Sequence, residues 1–196
     1  VIVVDHGGGH LAIVDLANNT AMRLSELDSP PSEFFQDWEP NGIAFLYAFF
    51  RQDKQVWELR RWNLADQSSE LVLAKVKLAR YAPDGQTVAF VREVQEQVQL
   101  GILSLKDHRE YVVSVMPAES GQPSKDRYSH LSWSPDGKHL LYARPGQAAQ
   151  VSDVKAKCTV SLKTIEAPIY QHEWAADSAK ILFLQADKLQ VAVRSE

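Results

Sequence analysis

One cysteine in 196 residues excludes an intrachain disulfide, so packing and hydrogen bonds must hold the fold unaided. That residue, Cys158, reads as a buried structural thiol. Also missing is any apolar run near the roughly 20 residues of a membrane span, so no membrane insertion is expected. Neither charge is in excess: 21 Lys and Arg face 25 Asp and Glu, scattered along the chain for a net charge of −4. That balance gives no footprint for nucleic acid. Helical periodicity is absent as well. The nearest approach, residues 93–100, alternates Val94, Val98 and Leu100 with Gln and Glu in a way that suits a long hairpin equally well. No secretory leader is visible, and the chain begins at Val1 rather than Met.

What the chain does have is a phrase used four times. Trp38-Glu39-Pro40-Asn41-Gly42 is followed by Tyr81-Ala82-Pro83-Asp84-Gly85, by Trp133-Ser134-Pro135-Asp136-Gly137, and by a worn copy, Trp174-Ala175-Ala176-Asp177-Ser178. The aromatic leads stand 43, 52 and 41 residues apart. Proline presets the first corner of a tight turn, Asn or Asp suits the next, and glycine takes a left-handed position, as in a three-residue hairpin with a bulge. The worn copy has Ala176 for proline and Ser178 for glycine, so its turn is expected to be looser or of another type. Each aromatic ends a strand and is placed to pack on a neighbouring sheet.

Strand-like segments flank every phrase. Residues 76–81 and 87–92 surround the second, and 128–133 and 138–144 the third. Third strands are expected at 55–64, 97–105 and 189–194, and fourth strands at 70–73 and 111–115. The opening residues fit one unit earlier, with strands at 1–4, 10–16 and 21–24. An insertion at 117–126 accounts for the long interval. A strand-and-turn repeat of this length marks a radial array of small sheets. The fold class is therefore all-β, a β-propeller of four-stranded antiparallel blades. Its units lie at approximately 1–30, 31–75, 76–127, 128–169 and 170–196, within one domain. Dividing the chain by a repeat of roughly 42 residues gives about five blades, the terminal ones incomplete, or else a fragment of a larger propeller.

The phrase resembles the repeat of TolB-type β-propellers, which are related in architecture to WD-repeat propellers. Residues 133–137 match it fully, 38–42 and 81–85 with substitutions, and 174–178 poorly. The resemblance implies a protein- or peptide-binding scaffold and a periplasmic or other extracytoplasmic location. The motif is also similar to repeats in the propellers of prolyl-oligopeptidase-type serine peptidases and of some sugar-acting lyases. Fold is therefore implied more firmly than function.

Chemistry-bearing groups are sparse. His6-Gly7-Gly8-Gly9 is similar to the oxyanion loop of lipases and esterases, but the Gly-x-Ser-x-Gly nucleophile turn those enzymes need is absent from the sequence. Three consecutive glycines here read as a flexible hairpin. His6 and His10 are four apart on a loop or strand, without the flanking ligands a metal site needs. His130 and His172 lie three and two residues before their tryptophans, so their side chains should point to opposite sides of their strands. No cofactor or metal is expected. The better-founded set is the residue before each aromatic: Asp37, Arg80, Ser132 and Glu173. All four are polar on otherwise apolar first strands. They read either as the lining of a wet channel or as a pocket for a peptide end or small ligand, with Arg80 taking a carboxylate. Phe34, Phe35, Phe49, Phe50, Trp57 and Trp62 concentrate in one unit and read as core. Arg60-Arg61-Trp62 could expose a cationic and aromatic spot.

With no complete catalytic set, the first expectation is a non-catalytic scaffold for a protein or peptide. The alternatives are a gating propeller of a larger serine peptidase and a metal-dependent lyase or hydrolase acting on sugars.

Overall fold

A computed structural model describes residues 2–6, 10–24, 33–117, 130–144, 147–166, 169–185 and 188–193. Every regular element among them is a β-strand, and the strands form five antiparallel sheets. The first sheet holds β1 (Ile2–His6), β2 (His10–Asp15) and β3 (Thr20–Arg23). The second holds β4 (Glu33–Trp38), β5 (Ala44–Arg51), β6 (Val56–Asn63) and β7 (Ser68–Ala74). The third holds β8 (Val76–Tyr81), β9 (Thr87–Val94), β10 (Gln97–Ser104) and β11 (Glu110–Pro117). The fourth holds β12 (His130–Trp133), β13 (His139–Ala143), β14 (Ala148–Asp153) and β15 (Cys158–Glu166). The last holds β16 (Ile169–Trp174), β17 (Lys180–Gln185) and β18 (Lys188–Val193). In each sheet, strands adjacent in sequence are neighbours in space, so each is a simple meander. The chain divides into two compact units. One is Val1–Ala79 with Phe90–Arg92, and the other is Arg80–Ala89 with Glu93–Glu196.

Within the described residues the expected strands are present (1, 128–129 and 194 lie outside them), and residues 93–100 form the hairpin arm of β9 and β10, turning at Gln95 and Glu96 with φ of 48° and 60°. The sequence pattern does not announce β14 and β15, because residues 147–150 are small and polar and lack clear alternation. The Gly7-Gly8-Gly9 run and residues 118–126 of the insertion lie outside the described residues. Either side of the glycines, β1 and β2 pair as the expected hairpin, with His6 opposite His10.

All four phrases build the same kind of turn. The fifth residue of each phrase closes it by an amide-to-carbonyl bond: Gly42 N to Glu39 O at 2.8 Å, Gly85 to Ala82 at 2.9 Å, Gly137 to Ser134 at 2.9 Å, and Ser178 to Ala175 at 2.8 Å. A second bond, from Glu39 N to Ala44 O and its equivalents, frames four loop residues rather than the expected three. The Asn or Asp keeps its role in every copy. Asn41, Asp84, Asp136 and Asp177 each accept the amide two residues on, at 3.0, 2.8, 3.0 and 2.9 Å. This local bond mimics a backbone turn and holds the corner in place.

The fourth turn therefore corrects the expectation of a looser type. Ser178 stands at φ 60°, beside Gly42, Gly85 and Gly137 at 73°, 68° and 68°. Forcing a side chain into that region costs about 1–2 kcal/mol. The offset is tertiary: the Ser178 hydroxyl accepts the Asp136 amide at 3.1 Å, tying the fourth turn to the third.

Cores form between successive sheets inside each unit. In the first unit Leu11 and Ile13 pack with Phe45, Tyr47 and Trp62, and Trp38 lies against them. In the second, Leu141, Ala143 and Ala149 pack with Ile181 and Phe183, and Trp174 lies against them. The repeat's aromatic thus leans onto the preceding sheet in both units. Three other expectations change. Cys158 is exposed, because it opens β15 directly after a surface turn. Phe34 and Phe35, read as core, are 36% and 37% exposed, while Trp62 is buried. No cationic spot forms at Arg60-Arg61-Trp62. Arg60 bonds Glu58 at 2.8 Å, and Arg61 bonds Glu39 at 2.7 Å.

Candidate functional site

Alternation along two short strands assembles a polar cluster in the second unit. On β12, Leu131 and Trp133 face one way: Leu131 is buried, and Trp133 Nε1 donates to the Arg80 carbonyl of β8 at 3.2 Å. His130 and Ser132 therefore face the other way, toward β16. There His172 and Trp174 face back. His172 Nε2 lies 2.7 Å from Ser132 Oγ, Trp174 Nε1 donates to the same oxygen at 3.0 Å, and the His130 and His172 rings meet edge to face at 5.2 Å. The opposite orientations expected from parity are what bring the two histidines together, because the strands belong to successive sheets.

The surroundings disfavour a charge on His172. Burial, then the neighbouring His130, then Arg80, lower the His172 pKa to about 4, so its imidazole is neutral near pH 7. Its Nδ1 is buried with no hydrogen-bond partner. Ser132 and His172 have the contact distance of a nucleophile and its base. Yet a base held near 4 takes up protons poorly at neutral pH, and no carboxylate orients the ring through Nδ1. The group offers hydrogen bonding. Among the described residues, no set of three or more His, Cys, Asp or Glu converges to hold a metal ion.

Of the four residues preceding the aromatics, Ser132 lies in this cluster, and Arg80 meets its edge through the backbone carbonyl that accepts from Trp133. Glu173 is exposed, on the side of β16 opposite His172. Asp37 lies on β4 in the first unit, its Oδ1 accepting the Trp38 amide at 3.0 Å. Sequence reading missed the partnership of His130 and His172 with Ser132, although the strand parity that predicts it was legible.

A concavity of about 390 Å³ opens between the fourth and fifth sheets, walled by Val151, Leu162, Trp174 and Ile181. At its polar end His139 is buried with neither ring nitrogen hydrogen-bonded. Carboxylate oxygens of Asp136 and Asp153 stand 3.8 Å from the ring, beyond hydrogen-bonding range.

No family model and no curated protein matches the sequence. Solved structures do match. TolB from Acinetobacter baumannii aligns with a TM-score of 0.66 at 15% identity, over 94% of this chain and 46% of that one. An oligogalacturonate lyase in complex with manganese aligns at 0.65 and 18%, over 94% and 55%. A structure described as TolB from Agrobacterium tumefaciens aligns at 0.63 and 18%, over 93% and 64%. The chain thus spans about half to two thirds of the length of these proteins. Its fold is a TolB-like β-propeller, and its five sheets fit about five blades or part of a larger propeller.

Proposed function

We propose that this TolB-like propeller is a non-catalytic scaffold that receives a protein or peptide partner at the first-strand cluster of Arg80, His130, Ser132 and His172. The observation that carries the reading is the Ser132–His172 pair itself. It has the spacing of a reactive couple, but its base is held near pKa 4, which suits recognition rather than proton transfer. Asp37 and Glu173 hold the equivalent repeat position of Arg80 and Ser132 and belong to the proposal as further polar contacts. An extracytoplasmic location is part of the same reading and rests on the family resemblance alone. No helix among the described residues is long and apolar enough to cross a membrane.

The test is a displayed-peptide selection on the purified chain, repeated on Arg80→Ala and on a surface control, Val115→Ser, where the side chain is 50% exposed. Selected peptides should bind the parent and the control alike and lose at least tenfold on Arg80→Ala. Equal binding to both variants, or turnover of a substrate in an activity screen without peptide binding, would reverse the reading.

A second reading, metal-dependent action on sugars, has one observation in its favour: His130 and His172 sit ring to ring. The likeness to the manganese-bound lyase is one of fold. Against this reading stands the Arg80 charge felt at His172, which repels a cation. Stoichiometric manganese in the purified protein, lost in His172→Ala, would establish it, and metal-free protein that takes up none would remove it.

A further inference from the structure

We infer that the concavity between the fourth and fifth sheets binds a small apolar molecule carrying one hydroxyl, which His139 and Asp153 hold at its polar end. The inference stands apart from the peptide-binding reading. It uses neither His130, Ser132 nor His172, and shares only Trp174 with that cluster.

Repeat and register build the site. His139 opens β13 directly after the third phrase, and its amide donates to Ser134 Oγ at 2.9 Å, which fixes it against the turn. Cross-strand pairing sets it opposite Asp153 on β14, so the two side chains share a face with Val151. On β15, Cys158, Val160 and Leu162 alternate onto that same face, with exposed Cys158 and Val160 at the mouth. The fifth sheet answers with small residues: Ala179 and Ala192 line the opposite wall beside Trp174 and Ile181. Those small side chains leave the space of about 390 Å³ open, a volume within the range of small-molecule sites.

The polar end lacks what the walls cannot supply. His139 is 5% exposed, and neither ring nitrogen has a hydrogen bond. Buried polar atoms are nearly always satisfied, so an open nitrogen at the concavity calls for a group from outside. The nearby carboxylates are held in place by other bonds. Asp136 Oδ1 accepts Ser134 Oγ at 2.6 Å and the Lys138 amide at 3.0 Å, and Asp153 Oδ1 accepts the Ala156 amide at 2.7 Å. Asp153 lines the concavity and Asp136 does not, so Nε2, the nitrogen on the Asp153 side, is the one presented to a ligand. Nε2 and Asp153 Oδ2 stand 3.8 Å apart, close enough for one oxygen to bond both.

A hydroxyl is the group that fits between them. With the proton on Nε2, the ring donates to the hydroxyl oxygen and the hydroxyl donates to Asp153, whose carboxylate only accepts. An ether oxygen has no proton to give Asp153. A ligand carboxylate has none either, and meets the charges of Asp136 and Asp153. An ammonium cannot accept from Nε2–H, and burying its charge against apolar walls costs more than burying a hydroxyl. Water entering the concavity can make the same two bonds. A ligand that displaces it without replacing them therefore loses affinity.

The experiment titrates the full chain with para-ethylphenol, and in parallel with para-ethylanisole, ethylbenzene and para-ethylbenzylamine. Two readouts report on the site: the His139 ring resonances by NMR, and the rate at which iodoacetamide alkylates Cys158, the only cysteine in the chain. The phenol should bind about tenfold more tightly than the anisole or ethylbenzene, move the His139 signals and slow Cys158 alkylation. In His139→Phe that preference should vanish while the apolar bodies still bind. Ala192→Leu, which fills the concavity from the wall opposite His139, should abolish protection of Cys158. Circular dichroism confirms that each variant is folded, and the ligand series on the parent decides the matter if His139→Phe is not. Equal affinity for the phenol and ethylbenzene would overturn the hydroxyl assignment, as would tighter binding of the amine. Protection of Cys158 that survives Ala192→Leu would place the ligand elsewhere and refute the site. No binding by any of the four would also refute it, leaving the peptide-binding reading untouched.

Discussion

Replacing Ser178 separates a backbone cost from a tertiary gain at one residue. The side chain sits in the left-handed region at φ 60°, where a Cβ costs about 1–2 kcal/mol relative to glycine. Its hydroxyl meanwhile accepts the Asp136 amide at 3.1 Å, in a partly buried place. Removing the acceptor leaves that amide short of a partner, at a cost of about 1–3 kcal/mol. Ser178→Ala keeps the backbone cost and loses the bond, so it should destabilise by the full amount. Ser178→Gly loses the same bond but sheds the strain, so the two contributions roughly cancel. For a chain of this size each kcal/mol moves the melting midpoint by about 2–4 °C. Thermal unfolding followed by circular dichroism should therefore rank the parent and Ser178→Gly close together, with Ser178→Ala several degrees lower. If Ser178→Ala melts with the parent, or Ser178→Gly melts below Ser178→Ala, the account of this turn is wrong.

Three further outcomes are expected. Gly42→Ala should lose about 1–2 kcal/mol in urea unfolding through the backbone alone, because φ is 73° and nothing lies within 4 Å of an added Cβ. Gly42→Asn should recover part of that loss. Trp133→Ala should cost about 3 kcal/mol, the low end for a large aromatic since the ring is only partly buried. Trp133→Phe should cost about 1 kcal/mol, for the lost donation to Arg80. Stability should also fall with acid between pH 6.5 and about 4. There an unfolded chain protonates the imidazole while the folded chain holds His172 neutral, so the unfolded state binds more protons. The loss is on the order of 3 kcal/mol at most, and His172→Gln should flatten it in denaturant midpoints measured across that range.

Much of the fold was legible because the turn chemistry is local. Proline, Asn or Asp, and glycine fix a turn without reference to anything distant, so three phrases announced themselves. The fourth misled because its compensation is tertiary: the bond from the Asp136 amide that sustains Ser178 comes from 42 residues away. The exposure of Cys158 stems from its place just after a turn, which composition does not reveal. In the site, parity gave the orientation of His130 and His172 correctly. It could not show that opposite faces of successive sheets meet, because that depends on stacking rather than on either strand. Ser132 was found by a position rule, and the same rule offered Glu173, whose side chain points to the other side of β16 from His172.

The decisive measurement is a nuclear Overhauser spectrum of the protein with histidine rings selectively labelled. With the His130 and His172 ring centres 5.2 Å apart, their ring protons should give a cross-peak. A folded protein with no such cross-peak would contradict the stacking of first strands on which the repeat and the site both depend.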